Sequence, residues 1–350
     1  MKNNKYILFA IVFLFQTYSV FSQGCEGDEP VKNDSLKPIT VKIFGYLQPQ
    51  YDYTFNDENE NTFKFKRARI GVRGKIYEDF SYYFMLEASP FIGGVGSAYL
   101  LDAFITYDKY NWARISVGSF KQPFGQEVAT ACWNLTTIDR AVVSDQLVVP
   151  QRDYGLMVLG GNKYTKLNYA VALMNGSGIN EKENNAKKDI IGRATYKFTD
   201  FMTVGGSFRY GYPNRSVDQD GDSRTTVGGD IALVFNNLKI NAEYIYDEGA
   251  VNPGADTGCG SVAITLGERR AGGYFMAAYD TKWKIQPVFK YEFFDADRSV
   301  KDISYQEMMT IGGNYFFNDK VRLQINYQAH IETYLNIDND MLLAQVQVRF

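Results

Sequence analysis

The stretch "FKFKRARIGVRGK" at residues 63–75 sets four cations, Arg67, Arg69, Arg73 and Lys75, at even separations. In an extended chain, even separations place side chains on one face. Like charges stacked in that way repel, and something must offset them. Acids on neighbouring strands are one answer, with Glu87 and Asp52 at hand. A ligand is the other, because the planar guanidinium offers paired donors that match an oxyanion. The expectation is partial pairing together with a role toward small anions.

Other chemistries find weaker support. "SVDQDGDS" at 216–223 carries Asp218, Asp220 and Asp222 at alternate positions, but a calcium loop also needs a distal Glu, which is missing. The segment reads as an acidic loop, and no metal is expected. His330 is the single histidine. A hydrolase built on it would need a nucleophilic Ser beside it, and none is near in sequence. No phosphate-cradling glycine loop opens a helix, and no cofactor is expected.

The elements that must position these residues follow a period of two. At the C-terminus Leu342, Ala344, Val346, Val348 and Phe350 alternate with Leu343, Gln345, Gln347 and Arg349. "WKIQPVFKYEFF" sets Trp283, Ile285, Pro287, Phe289, Tyr291 and Phe293 against Lys284, Gln286, Val288, Lys290 and Glu292. Sixteen such segments occur between residues 40 and 350. Their connections alternate between tight turns, such as "YED" at 77–79 and "ND" at 318–319, and long loops, such as 54–62 and 121–152. All turns therefore lie at one end of the strands. The pattern predicts an all-β fold, a 16-stranded antiparallel transmembrane β-barrel over 40–350. A soluble sandwich also alternates, but an even strand count closes the sheet without an edge, and Tyr and Phe cap the apolar face. Charges avoid that face, as they must if it meets lipid.

"MKNNKYILFAIVFLFQTYSVFSQGCEG" reads as a secretory signal peptide, residues 1–22, cut before Gln23, followed by an N-terminal leader at 23–39. Cys25 in "SQGC" offers the alternative of a lipidated leader, although Leu is missing three residues before it. Cys132 and Cys259 have no spacing that argues for pairing. A net charge of -3 gives no reason to expect nucleic acid. These features place the chain in a bacterial outer membrane, among lipid and lipopolysaccharide, with divalent ions able to bridge acidic external loops to the latter. Phe350 resembles the terminal signal by which such barrels engage their assembly machinery.

The 121–152 connection is much longer than a hairpin needs. Ile138, Val142, Val143, Leu147 and Val148 make it too apolar to lie in water. Folding into the barrel mouth would bury them, narrow the bore and bring Lys121, Arg140 and Arg152 toward the constriction. On the wall, basic residues including Arg114 outnumber acids in the inward phase, which favours anions inside. A plain polar wall holding water is the alternative.

Three segments carry a more specific likeness. "RARIGVRGKIYEDFSYYFMLE", "VGSFKQPFGQE" and "TIDRAVVSDQLVVPQRDYG" resemble the phosphate-selective porin O and P family of bacterial outer membranes, most densely over residues 40–160. The resemblance implies a homotrimer of sixteen-stranded barrels whose inward-folded loop lines an anion-binding constriction. Lys121, Pro123, Phe124 and Gly125 would form the entry to that loop, and Arg140, Arg152, Asp153 and Gly155 its return. Glu127, Asp139 and Asp145 depart from a wholly basic constriction, Asp139 standing where the family has Glu. The combined expectation is passive diffusion of small hydrophilic solutes with a modest anion preference, phosphate or related oxyanions among them, through Arg67, Arg69, Arg73, Arg114, Lys121, Arg140 and Arg152. The alternatives are a non-selective porin, a surface adhesion protein and a barrel enzyme.

Overall fold

The computed structural model describes residues 39–94, 96–183, 185–213, 223–251, 265–300, 304–331 and 338–350. The expected signal peptide, the expected leader up to residue 38, Cys25, Cys259 and the Asp218–Asp222 cluster lie outside the described residues. Sixteen strands run in chain order as β1 (Lys42–Phe55), β2 (Asn61–Ile76), β3 (Phe80–Glu87), β4 (Tyr99–Tyr110), β5 (Ala113–Lys121), β6 (Arg152–Gly160), β7 (Leu167–Met174) and β8 (Asp189–Lys197). They continue as β9 (Met202–Gly211), β10 (Arg224–Phe235), β11 (Leu238–Gly249), β12 (Arg269–Tyr279), β13 (Ile285–Asp295), β14 (Tyr305–Phe316), β15 (Val321–Ile331) and β16 (Asp340–Arg349). Each pairs antiparallel with its chain neighbours, and β1 closes on β16.

Closure leaves every strand flanked, so the sheet presents no open edge to a solvent that cannot hydrogen-bond. At the seam Gly45 N–H donates to the Phe350 carbonyl (3.2 Å), and Phe350 N–H donates to the Gly45 carbonyl (3.0 Å). A Cβ at position 45 would lie 2.7 Å from the Phe350 ring, so the terminal aromatic fits here only because residue 45 is glycine.

The alternation sorts the two faces as the sequence requires. Phe289, Ile311 and Tyr327 are direct cross-strand partners and all are exposed on the outer surface. One residue along, Lys290, Thr310 and Gln328 are partners on the inner surface and all are buried. Aromatic pairs gather near both rims: Tyr196–Phe198 (4.9 Å between centroids), Phe201–Phe235 (5.1 Å) and Tyr315–Phe317 (4.8 Å) at the short-turn end, Tyr51–Phe63 (4.7 Å) and Phe55–Tyr327 (5.9 Å) at the other. Rings at these levels suit the boundary between hydrocarbon and water.

The connection from β5 to β6 does not project from the barrel. It holds two short helices, α1 (Gln126–Ala129) and α2 (Val142–Leu147), with a 3-10 turn at Cys132–Asn134 between them. Phe124, Val128, Val143 and Leu147 join one buried cluster with the inner wall, including Ile245, Tyr274 and Phe294. Burying side chains of this size stabilises the seat by about 1.5–3 kcal/mol each. Gly272 makes room for α2, since a Cβ there would approach Val143 to 3.0 Å. The inner wall opposite α2 is thus apolar where a bore open to water would favour polar side chains. The connection therefore packs part of the inner wall that a plain polar wall would leave to water.

Candidate functional site

Strand β2 supplies the densest run of inward charge, and a register shift extends it. Gln48 pairs with Arg67 and Pro49 with Phe65, so Lys66 is an extra residue in the ladder. A bulge of this kind re-aims side chains on either side of it. Arg67 and Arg69 point inward beyond it, and Lys64, opposite Gln50, points inward before it. Lys66 also reaches the interior, where its Nζ lies 2.7 Å from Asp139 Oδ1 of the β5–β6 connection. Lys64 pairs with Asp52 on β1. Neither Lys64 nor Lys66 stood among the expected site residues.

The connection is cradled by side chains from strands all around the wall. Arg322 Nη1 donates to the Leu135 carbonyl (2.9 Å), Asn314 to Thr136 (2.9 Å), Gln347 to Trp133 (3.2 Å) and Lys290 to Asp139 (3.3 Å). Arg224 donates to the carbonyls of Leu147 (2.7 Å) and Val149 (3.0 Å), and Arg209 to Val149 (2.6 Å). Asn326 Oδ1 accepts from Ile138 N–H (2.8 Å). Glu243 receives the first N–H groups of α1, from Gln126 (2.8 Å) and Glu127 (3.1 Å). Glu127 in turn accepts from Ala141 N–H just before α2 (2.6 Å). Many inner-wall cations therefore satisfy backbone carbonyls that would otherwise be stranded.

Three of the expected residues converge. Arg69 Nη1 and Arg140 Nη2 both reach the Cys132 sulfur (3.2 and 3.5 Å), and Arg140 and Lys121 both donate to the Thr130 carbonyl (3.0 and 3.4 Å). Arg69 also pairs with Glu87 (2.5 Å) and bonds the Tyr46 hydroxyl (2.7 Å). The others are dispersed. Arg67 donates to Gln48 (2.9 Å), Arg73 lies over the Phe44 ring (5.2 Å to the centroid), Arg114 donates to the Gly161 carbonyl (2.7 Å) and Arg152 to Asp102 (3.1 Å). His330 sits on β15 and its N–H donates to Asp340 (2.9 Å). Among the described residues no group of three His, Cys, Asp or Glu is placed to hold a metal ion.

Inner acids and cations differ in their access to water. The carboxylates of Glu87, Asp102, Asp189, Asp230 and Asp247 are all buried against arginines. Lys64, Lys66 and Lys75 on β2 keep 44%, 12% and 26% of their side-chain surface exposed. Within the connection, burial tends to raise the Asp139 carboxyl, but Lys66, its hydrogen bond, Arg67 and Lys290 outweigh that and hold it at about 2. Burial wins for Glu127, which is pushed up to about 7 against the opposing pull of Lys290, the Ala141 N–H and Arg140. Burial likewise raises Asp145, against Arg140 and Lys66.

A closed sixteen-stranded barrel with an apolar outer wall, aromatic rims and a charged inner wall is the architecture of outer-membrane porins. Solved structures of that class are similar to it throughout. OmpF of Salmonella typhi in complex with daunomycin has a TM-score of 0.64 at 13% identity, covering 89% of this chain and 98% of that one. The anion-selective porin of Comamonas acidovorans has a TM-score of 0.63 at 12% identity, covering 89% and 100%. OmpT of Vibrio cholerae in its trimer form has a TM-score of 0.61 at 11% identity, covering 90% and 100%. Among curated proteins, Porin O of Pseudomonas aeruginosa is 30% identical over 109 residues, which is 30% of this chain and 25% of that relative; the match thus spans about a quarter of the relative's length. The family model for phosphate-selective porin O and P matches residues 44–227, over half of the chain. The chain belongs to the phosphate-selective porin O and P family, a family of outer-membrane channels rather than enzymes.

Proposed function

We propose that this porin passes small hydrophilic solutes by passive diffusion with a modest preference for anions, phosphate or related oxyanions among them. The reading rests on one observation: water-accessible charge on β2 is carried by Lys64, Lys66 and Lys75, each beside one carboxylate, while Glu87, Asp102, Asp189, Asp230 and Asp247 are held in buried pairs with arginine. Ions passing the inner wall meet these lysines and are shielded from the five carboxylates buried against arginine. The family description and the anion-selective Comamonas relative support the same direction. In this reading the β5–β6 connection is the constriction. Lys121 and Arg140 hold its shape, as does Arg69, while Arg73 lines the approach.

A non-selective porin is the second reading, favoured by the number of inner arginines committed to carbonyls and acids rather than left to a solute. A homotrimer embedded in lipid and lipopolysaccharide, assembled through recognition of Phe350, completes the proposal; the trimeric form of OmpT supports the subunit count. Flux of labelled phosphate and of labelled potassium into proteoliposomes tests it. Faster entry of phosphate than of a neutral solute of equal size is expected. Entry of potassium alone, or of neither ion, overturns it.

A further inference from the structure

Lys290 on β13, Thr310 on β14 and Gln328 on β15 are successive cross-strand partners on the inner wall. All three are buried. The Thr310 hydroxyl, between a cation and an amide, has no hydrogen-bond partner among the described residues. Lys66 faces this row from β2. Asp139 is the residue that meets both sides: one carboxylate oxygen takes Lys66 Nζ at 2.7 Å, and the other takes Gln328 Nε2 at 3.4 Å. Its backbone carbonyl takes Lys290 Nζ at 3.3 Å and the Thr137 hydroxyl at 2.7 Å.

We infer that Lys66, Lys290, Thr310 and Gln328 form an oxyanion site, and that the Asp139 carboxylate occupies it as a tethered competitor for the anions the pore admits. The inference rests on the porin reading and goes further by naming the site and its internal occupant. Two features separate this ion pair from the buried arginine pairs inside the barrel. Asp139 and Lys66 keep 25% and 12% of their side-chain surface exposed, whereas Arg69–Glu87 and Arg224–Asp247 keep 3% or less. A pair in contact with water exchanges partners readily; a buried one is costly to open. The second feature is the unused Thr310 donor, which the short Asp139 side chain leaves unfilled and which an anion with more oxygens than a carboxylate would engage. Nearby charges are balanced: Lys290 Nζ also holds Glu292 at 2.8 Å, and Arg67 lies close to Asp139.

A tethered carboxylate competes at a fixed effective concentration, in the millimolar range or above. Free phosphate must exceed that level to displace it, so the natural protein should bind phosphate weakly and release it quickly. Removing the carboxylate should vacate Lys66 and Gln328 beside the unfilled Thr310 donor, while Lys290 keeps its bonds to Glu292 and the backbone.

The test uses the full mature chain in planar bilayers. Chloride current is recorded while inorganic phosphate is titrated on one side. Asp139→Ala should lower the half-blocking phosphate concentration by about tenfold. Asp139→Ala combined with Lys66→Gln should abolish that gain. An unchanged half-blocking concentration in Asp139→Ala overturns the inference. Absence of any current in the natural protein would overturn the porin reading instead, and phosphate titration by calorimetry on detergent-solubilised protein would then decide the site. About tenfold tighter binding in Asp139→Ala supports it, and equal binding in the two proteins rejects it.

Discussion

Lys66 Nζ lies 2.7 Å from an Asp139 carboxylate oxygen, joining a bulge in the second strand to a connection that starts more than fifty residues later. Lys66 therefore sets the charge facing the connection. Replacing it with Gln should weaken local attraction for an anion by about 1 kcal/mol, roughly fivefold in occupancy. Reversal potentials in a salt gradient should move toward cation permeation. No movement would mean that Lys66 does not face the conducting path.

The seat of the β5–β6 connection depends on wall arginines. Arg224→Ala removes donors from the Leu147 and Val149 carbonyls while Asp247 keeps Arg270. The loss should be about 2–3 kcal/mol of seating, given the usual worth of hydrogen bonds to charged groups. Amide exchange at residues 142–149 should accelerate at least tenfold with the barrel intact. Unchanged protection there would show that apolar burial alone holds the connection.

Gly272 faces α2 with no room for a larger side chain. Gly272→Val should overpack that contact at a cost of about 1–3 kcal/mol. Thermal unfolding read on unheated gels should shift downward, and Gly229→Val, where an added Cβ meets nothing, should shift it far less.

Glu127 gives the seat a pH dependence. Its carboxyl is raised by burial to about 7, so the seated form holds a proton that an exposed carboxylate has released anywhere between the usual carboxylate range and pH 7. A group raised in this way favours the seated form more as pH falls through that window, and less as pH rises through it. Asp139 has the opposite sign: held at about 2, it supports the seat above the usual carboxylate range and loses that support only as pH falls toward 2. Current noise from movement of the connection should therefore decrease from pH 8 to pH 5.5. Glu127→Gln should remove the change, and a slope that survives in Glu127→Gln would assign it elsewhere.

The alternation also makes a direct statement about the outer wall. Ile311→Arg places a cation on the lipid face and should cost about 2–4 kcal/mol if it lies near the bilayer midplane. Refolding into lipid vesicles measures it, and a neutral result would contradict the assigned phase.

Strand number, pairing order and the phase of segments such as 285–295 and 321–331 were readable because period two repeats without interruption there. The bulge at Lys66 was not, since extending the phase of Arg67 and Arg69 backward carries Lys64 and Lys66 to the lipid side. A signal existed in "FKFKRAR": cations on both parities of one strand cannot all avoid lipid unless the parity changes between them. The burial of Val143, Leu147 and Val148 was legible from composition. The partners of the wall arginines were not, because the carbonyls they meet belong to a connection whose path depends on the closed barrel. Pairing on β2 was legible for Arg69, whose partner Glu87 lies on the next strand, whereas the neutral partners Gln48 of Arg67 and Tyr46 of Arg69 carry no charge to flag them.

The most direct test of the central claim is the zero-current potential of the reconstituted natural protein across a tenfold potassium chloride gradient. A conducting channel whose potential has the sign of modest chloride preference is the predicted result. A potential of the opposite sign, or a protein that inserts as a folded barrel and passes no current, would contradict it.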